Sequence, residues 1–446
     1  MREIAEWAST VDGDKLPAAV SRTSRLLVAD TVGAMARGSA ERTPTRLFQR
    51  LAGPSSQRAG GIVVRQGLPM IDSASSMLPN SVAGAWFELD PGHDRARTHG
   101  PIHVLPVLLS EDLAQSSADQ LTAFTIGVEV AYRIGRAVRP SATLHPHGVW
   151  ATVGAAAAAS RIAQLSPVAT FRTLTVAGHL MLATSSRSVA EGATVRNALP
   201  GIAAQHGVAA RELASAGLGG LGAGIEAISA GVLNSVFDPL ALTEGLGERF
   251  ELERSFFKLH ACCHHLAAAA EAAIAVHGQL GNDLERVTEV EVGTYRHAAG
   301  YGKRHPRNQL AAMFSLPYVV SAGLVVGSVS PESFVLGVMA DPRRRAIEQM
   351  VSVHIDEPAD RAYPDRRSAT VIVHLRGGTR VAVTTDQPLG TPGNPVPESA
   401  LRDKFASLGA GVFGIRTAAV WSDLARLSSA RSFQAILHGG SMGSDT

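Results

Sequence analysis

Cysteine is nearly absent: the 446 residues contain two, and these are neighbours, Cys262 and Cys263. Adjacent thiols cannot build a disulfide framework, so a reducing compartment is expected. Charge imbalance is missing as well. Lys and Arg total 41 against 39 Asp and Glu, a formal net charge of +2, which gives no reason to expect a nucleic-acid partner. No run of about eighteen apolar residues occurs, so no membrane-spanning helix is expected. Met1-Arg-Glu-Ile-Ala-Glu-Trp7 lacks the charged-then-apolar order of a secretory leader, and a cytoplasmic protein is the expectation.

The 45% hydrophobic content is that of a globular protein, and the length suits two cores. Helical spacing of apolar residues runs over 17–38 and stops at Gly38; a second helix is expected over 45–51, and a third over 70–89 with an interruption at Pro79. Two helices follow within 104–138, and the second is apolar nearly all round, hence buried. The small residues after Trp150 make a helix that fits only a crowded interior. Further helices are expected over 168–186, 202–216, from Leu310, over 397–405 and over 418–437. Gly217-Leu-Gly-Gly-Leu-Gly222 has no preceding strand and no Gly-Lys-Ser/Thr ending, so it reads as a turn and not a phosphate loop.

Strand alternation marks 286–295 and 350–355; 60–67 reads as a short strand or hairpin, and 369–385 reads as a hairpin around Gly377-Gly378. The expected fold is therefore mostly α. One helical domain is built from both chain ends, 1–252 and 397–446, with a smaller α+β lid domain, 253–396, inserted into it. The tail 439–446 is expected to be disordered.

Polar chemistry concentrates in four places. Arg254-Ser-Phe-Phe-Lys-Leu-His-Ala-Cys-Cys-His-His265 gathers one lysine, three histidines and both cysteines just before an alanine-rich helix. Helix N-termini favour anions, and a lysine with imidazoles there suits a carboxylate-bearing substrate. The stretch Phe87-Glu-Leu-Asp-Pro-Gly-His-Asp-Arg-Ala-Arg-Thr-His99 is a loop opened by Pro91 and Gly92. A third loop carries His145 and His147, and a fourth polar segment offers Arg196. A structural zinc wants ligands two to four residues apart and a second pair further along; the two cysteines are adjacent, only the histidines could complete a site, and no metal is assigned.

Five of these pieces, in this order, resemble the MmgE/PrpD family: the Glu-Leu-Asp loop leading to His99, the segment from His145 through the alanine run, Glu191-Gly-Ala-Thr-Val-Arg196, Phe257-Lys-Leu-His-Ala-Cys-Cys263, and Phe314-Ser-Leu-Pro-Tyr318. The resemblance implies a cofactor-independent homodimeric acid–base enzyme acting on a small di- or tricarboxylate in a cleft between its domains. A dehydratase or decarboxylase is the first expectation. An epimerase of an iminodisuccinate-like dicarboxylate is the second, and a non-catalytic carboxylate-binding homologue the third.

By the same resemblance His99, His145, Lys258 and Tyr318 are the expected catalytic residues, with Asp90, His93, Arg196, His260 and Cys263 expected around the substrate. Arg196 stands where the family often has lysine, and Cys263 where its decarboxylases carry histidine. The family's second loop aspartate is missing at Pro91. Chemically, His99 or His145 suits proton transfer near neutral pH, Lys258 and Arg196 suit carboxylates, and Tyr318 suits a hydrogen-bond donor or final acid, with Lys258 as an alternative base.

Overall fold

The computed structural model describes residues 1–52, 60–111, 115–139, 143–281, 283–427 and 432–439. It is 61% helix and 10% strand, so the mostly α reading holds. The expected disorder at 439–446 falls, but for Gly439, outside the described residues.

The helical body includes α1 (Ala18–Ser39) and α2 (Ser73–Gly84). They lie so close that a Cβ on Gly38 would sit 1.9 Å from the Ala83 carbonyl oxygen. α2 continues through Pro79 where an interruption was expected. The next residue explains this: the Asn80 amide donates to Ile62 O at 2.7 Å and accepts from Val64 N at 2.8 Å, a buried clamp that holds the helix on course.

α3 (Gly100–Ser110) and α4 (Ser117–Ala137) follow, the latter capped by Ser116, which accepts from Asp119 N. The small-residue helix α5 (Ala151–Ile162) crosses α4 almost backbone to backbone. A Cβ on Gly154 would fall 2.4 Å from the Gly127 carbonyl oxygen, which is why this stretch tolerates only small side chains. The helix expected over 168–186 is shorter, α6 (Pro167–His179), because the chain then forms a two-residue strand, Thr184–Ser185, paired with Leu144–His145. α7 (Leu199–Ser215) completes this part.

The second core surrounds α8 (Ala267–Leu280), β1 (Val287–Thr294), α9 (Leu316–Val326), α10 (Pro342–Met350), β2 (Val351–Ile355), β3 (Ala369–Leu375) and β4 (Arg380–Thr385). Strand order is β4-β3-β1-β2, with β1 and β2 parallel across a helical connection and the other pairs antiparallel. The β3–β4 hairpin turns at Gly377 and Gly378, both at positive φ (96° and 84°), as a tight turn of this kind requires. The chain then returns to the helical body, where α11 (Glu398–Phe413) packs on α1. The single helix expected over 418–437 is two, α12 (Thr417–Arg426) and α13 (Phe433–His438).

Candidate active site

Two of the polar stretches singled out above are hydrogen-bonded to each other. Gly92 N donates to Phe256 O at 3.2 Å and Phe256 N to Gly92 O at 2.8 Å. Phe257 N donates in turn to Gly390 O at 2.9 Å; Gly390 has φ 96°, and a Cβ there would lie 2.2 Å from Phe257 O. The loop's start is fixed from the helical body, since Lys404 on α11 donates to Leu89 O at 2.9 Å. Glu129 on α4 accepts from the Glu251 and Leu252 amides at 3.1 and 3.0 Å, anchoring the approach to Lys258.

Around this junction lies a cavity of about 660 Å³, its open mouth included. His99, His145, Arg196, Lys258, Cys263 and His93 are on its wall. Asp90 stands directly behind His99, wholly buried, with Oδ2 2.9 Å from His99 Nδ1. Burial pushes the Asp90 carboxyl up, but His99, Lys258 and Arg196 outweigh it and hold it well below the usual range, so it is ionised. An ionised carboxylate on Nδ1 orients the ring and leaves Nε2 for the cavity.

Glu88 bridges the two cations of the same wall: Oε1 pairs with Arg196 Nη1, and Oε2 lies 3.1 Å from Lys258 Nζ. Burial lowers Lys258, yet Glu88 and Asp90 raise it on balance, so it is held as an ammonium. That disfavours Lys258 as a base. His145 Nδ1 accepts from the His147 amide at 3.3 Å, so the neutral ring carries its proton on Nε2. Burial, with Arg196 next, pushes His145 well below its ordinary value, leaving it a neutral donor near pH 7. His103 holds His99 from behind: its Nε2 accepts from Gly148 N at 3.1 Å and Nδ1 meets His99 O at 2.8 Å. Cys263 is raised to about 11, by burial and then Glu88, and stays a thiol.

Other expected residues are placed differently. His93 uses both ring nitrogens within the protein: Nδ1 accepts from the Arg95 and Ala96 amides of its own loop at 3.1 and 3.0 Å, and Nε2 lies 3.2 Å from Glu251. His260 is off the cavity wall with Nε2 3.5 Å from Glu271. A tight turn, Cys262 N to His260 O at 2.8 Å, breaks the extended alternation of 256–258 and directs His260 away. Tyr318 is off the wall too. It sits on the inner face of α9, its hydroxyl donating to Ser333 O at 2.7 Å and the Arg344 guanidinium 4.1 Å over its ring.

The phenols on the wall are Tyr301 and Tyr363. Burial and the neighbouring Cys263 raise Tyr301 well above its ordinary value, so it remains a donor. Glu88, Arg97, His264, His265, His297 and Arg367 also line the cavity and were not expected there. Arg367 lies 2.8 Å from Asp94 Oδ1 and donates to His265 Nδ1 at 3.3 Å. Glu88 and Arg97 have left-handed backbones, φ 54° and 48°, a conformation unusual without glycine. No residue-type signal marks such positions in a sequence.

Asp90, His99 and His147 bring three potential metal-ligand atoms within 4.8 Å of one another. Lys258 Nζ is 3.7 Å from Asp90 and Arg196 Nη2 is 3.3 Å from His147 Nε2, so positive charge already occupies the surroundings. Such a wall suits an anion better than a divalent cation.

These features define a mostly α protein whose cation-lined and histidine-rich cavity is assembled from distant parts of the chain. It belongs to the MmgE/PrpD family: the family's N-terminal domain matches residues 2–244 and its C-terminal domain residues 260–429. Similar proteins include a cis-aconitate decarboxylase of Mus musculus, 29% identical over 69% of this chain and 66% of that protein. Others are cis-aconitate decarboxylases of Aspergillus terreus (23% identical over 92% of this chain and 89% of the relative) and of Homo sapiens (26% over 91% and 87%). Among the described residues no helix is long and apolar enough to cross a membrane.

Proposed function

We propose that the chain is a lyase that decarboxylates a small unsaturated tricarboxylate of the cis-aconitate kind by acid–base chemistry. The observation that carries this reading is His99, backed by ionised Asp90, on the wall of a cavity that also presents Lys258 and Arg196. The names of the similar proteins favour the decarboxylase over the dehydratase.

In such an acid the carboxylate on the methylene carbon stands β,γ to the double bond. When its C–C bond breaks, CO2 leaves, the electron pair forms a new double bond to the central carbon, and the former alkene carbon takes up one proton. The double bond is its own electron sink, so the step calls for no cofactor. His99 supplies the proton from Nε2 while Asp90 holds the imidazolium. Lys258 and Arg196 stabilise the negative charge that builds next to a remaining carboxylate, and neutral His145 donates from Nε2. Tyr301 takes the donor role first given to Tyr318.

Incubation with cis-aconitate in D2O, followed by NMR, tests this. Loss of CO2 with one deuterium in the new methylene group is expected. Deuterium entering recovered acid with no new alkene establishes the epimerase instead, and binding without turnover establishes the non-catalytic homologue. The reading includes a homodimer, which a monomer in sedimentation velocity overturns. It also includes a division into 1–252 with 397–446 and 253–396, supported by the packing of α11 on α1.

A further inference from the structure

Four permanently cationic side chains line the cavity: Arg97, Arg196, Lys258 and Arg367. Three already face a carboxylate of the protein, Arg196 and Lys258 through Glu88 and Arg367 through Asp94. Of these four, Arg97 alone has no such partner among the described residues. It is half-buried, and no hydrogen-bond acceptor among the described residues meets its guanidinium. A guanidinium partly withdrawn from water without a counter-charge is unfavourable unless a ligand supplies one.

Its backbone points the same way. Arg97 is held at φ 48° in the tight loop closed by the His93–Thr98 bridge, a conformation unfavourable for a residue with a Cβ. The loop keeps that arrangement because His93 is fixed on both ring nitrogens. Arg97 shares the cavity wall with His99, His145, Arg196 and Lys258.

We propose that Arg97 is a specificity-determining residue that grips a carboxylate taking no part in bond cleavage, and so selects acids with a third carboxylate. This rests on the polycarboxylate reading of the site, but it concerns binding and can be tested without turnover. Arginine grips a carboxylate with two parallel hydrogen bonds, an arrangement that lysine cannot reproduce.

The probes are propane-1,2,3-tricarboxylate and glutarate, the same carbon chain without the central carboxylate, titrated calorimetrically into the full chain. The wild type is expected to prefer the tricarboxylate. Arg97→Met is expected to weaken tricarboxylate binding about ten- to hundred-fold, as for a lost charged hydrogen-bond pair, and glutarate binding far less, so that the preference collapses. Arg97→Lys, which keeps the charge and guards against a misfolded Met variant, is expected to fall between. A wild type without preference for the tricarboxylate, or a preference undiminished in either variant, overturns the assignment. CO2 release from cis-aconitate by the wild type is measured separately. Release with an Arg97-independent preference sinks this inference alone, and no release with an Arg97-dependent preference sinks only the lyase reading.

Discussion

At the scale of single residues, the arrangement of His99 on Asp90 makes the sharpest claim. His99→Asn is expected to lower kcat for decarboxylation by about 10² to 10⁴ with unchanged circular dichroism, the usual range for a proton-transfer group. Tyr318→Phe should do the opposite: turnover intact and about 1 kcal/mol less stability in urea unfolding, because only the hydrogen bond to Ser333 O is lost. Glu88→Gln leaves Lys258 and Arg196 buried with half their counter-charge, and should cost about 3 kcal/mol in the same measurement. His99, His145, Arg196, Lys258 and Cys263 were legible because each sits in a short polar stretch among apolar helices. Tyr301 and Arg367 were not. They reach the cavity across long separations in the chain, and nothing local distinguishes them from surface tyrosine and arginine. Tyr318 misled because it lies four residues beyond Phe314, which does line the cavity, on a helical face turned the other way.

At the scale of elements, composition was most informative where it was most extreme. The alanine and glycine run of α5 announced a crowded interior, and its contact with α4 at Gly127 and Gly154 is the reason. Gly154→Val should therefore destabilise by about 1 to 3 kcal/mol in urea unfolding, since the clash is with backbone that cannot rotate away. The β3–β4 hairpin was equally legible from its paired glycines. Helix ends were less so. Pro79 looked like a break because its missing amide is a local fact, whereas the Asn80 clamp that overrides it depends on a strand-like segment sixteen to eighteen residues upstream. The end of α6 at His179 likewise depends on a pairing with Leu144–His145 that periodicity does not encode.

At the scale of the whole molecule, burial of neutral histidines sets the response to acid. Burial holds His103 at about 4 against an ordinary 6.5, and His145, His147 and His265 are shifted in the same direction. Below about pH 6.5 the unfolded chain takes up protons that the fold refuses, so stability falls as pH drops toward 4, by on the order of 3 kcal/mol for His103 alone. Urea midpoints measured at pH 7.5, 5.5 and 4.5 should decline in that order, and a flat series contradicts the assignment. Asp90, whose carboxyl is likewise held low, adds its loss only at still lower pH. The chain's even charge and scarce cysteine shaped the expectations about partners and compartment, but the joining of the 87–99 and 254–265 stretches was not readable from either. The amides of Gly92, Phe256 and Phe257 join the 87–99 loop, the 254–265 stretch and Gly390 in one hydrogen-bonded seam. A seam of that kind opens as a unit, so these three protons should exchange with solvent at one common rate, and a ligand that seals the cavity should slow all three together.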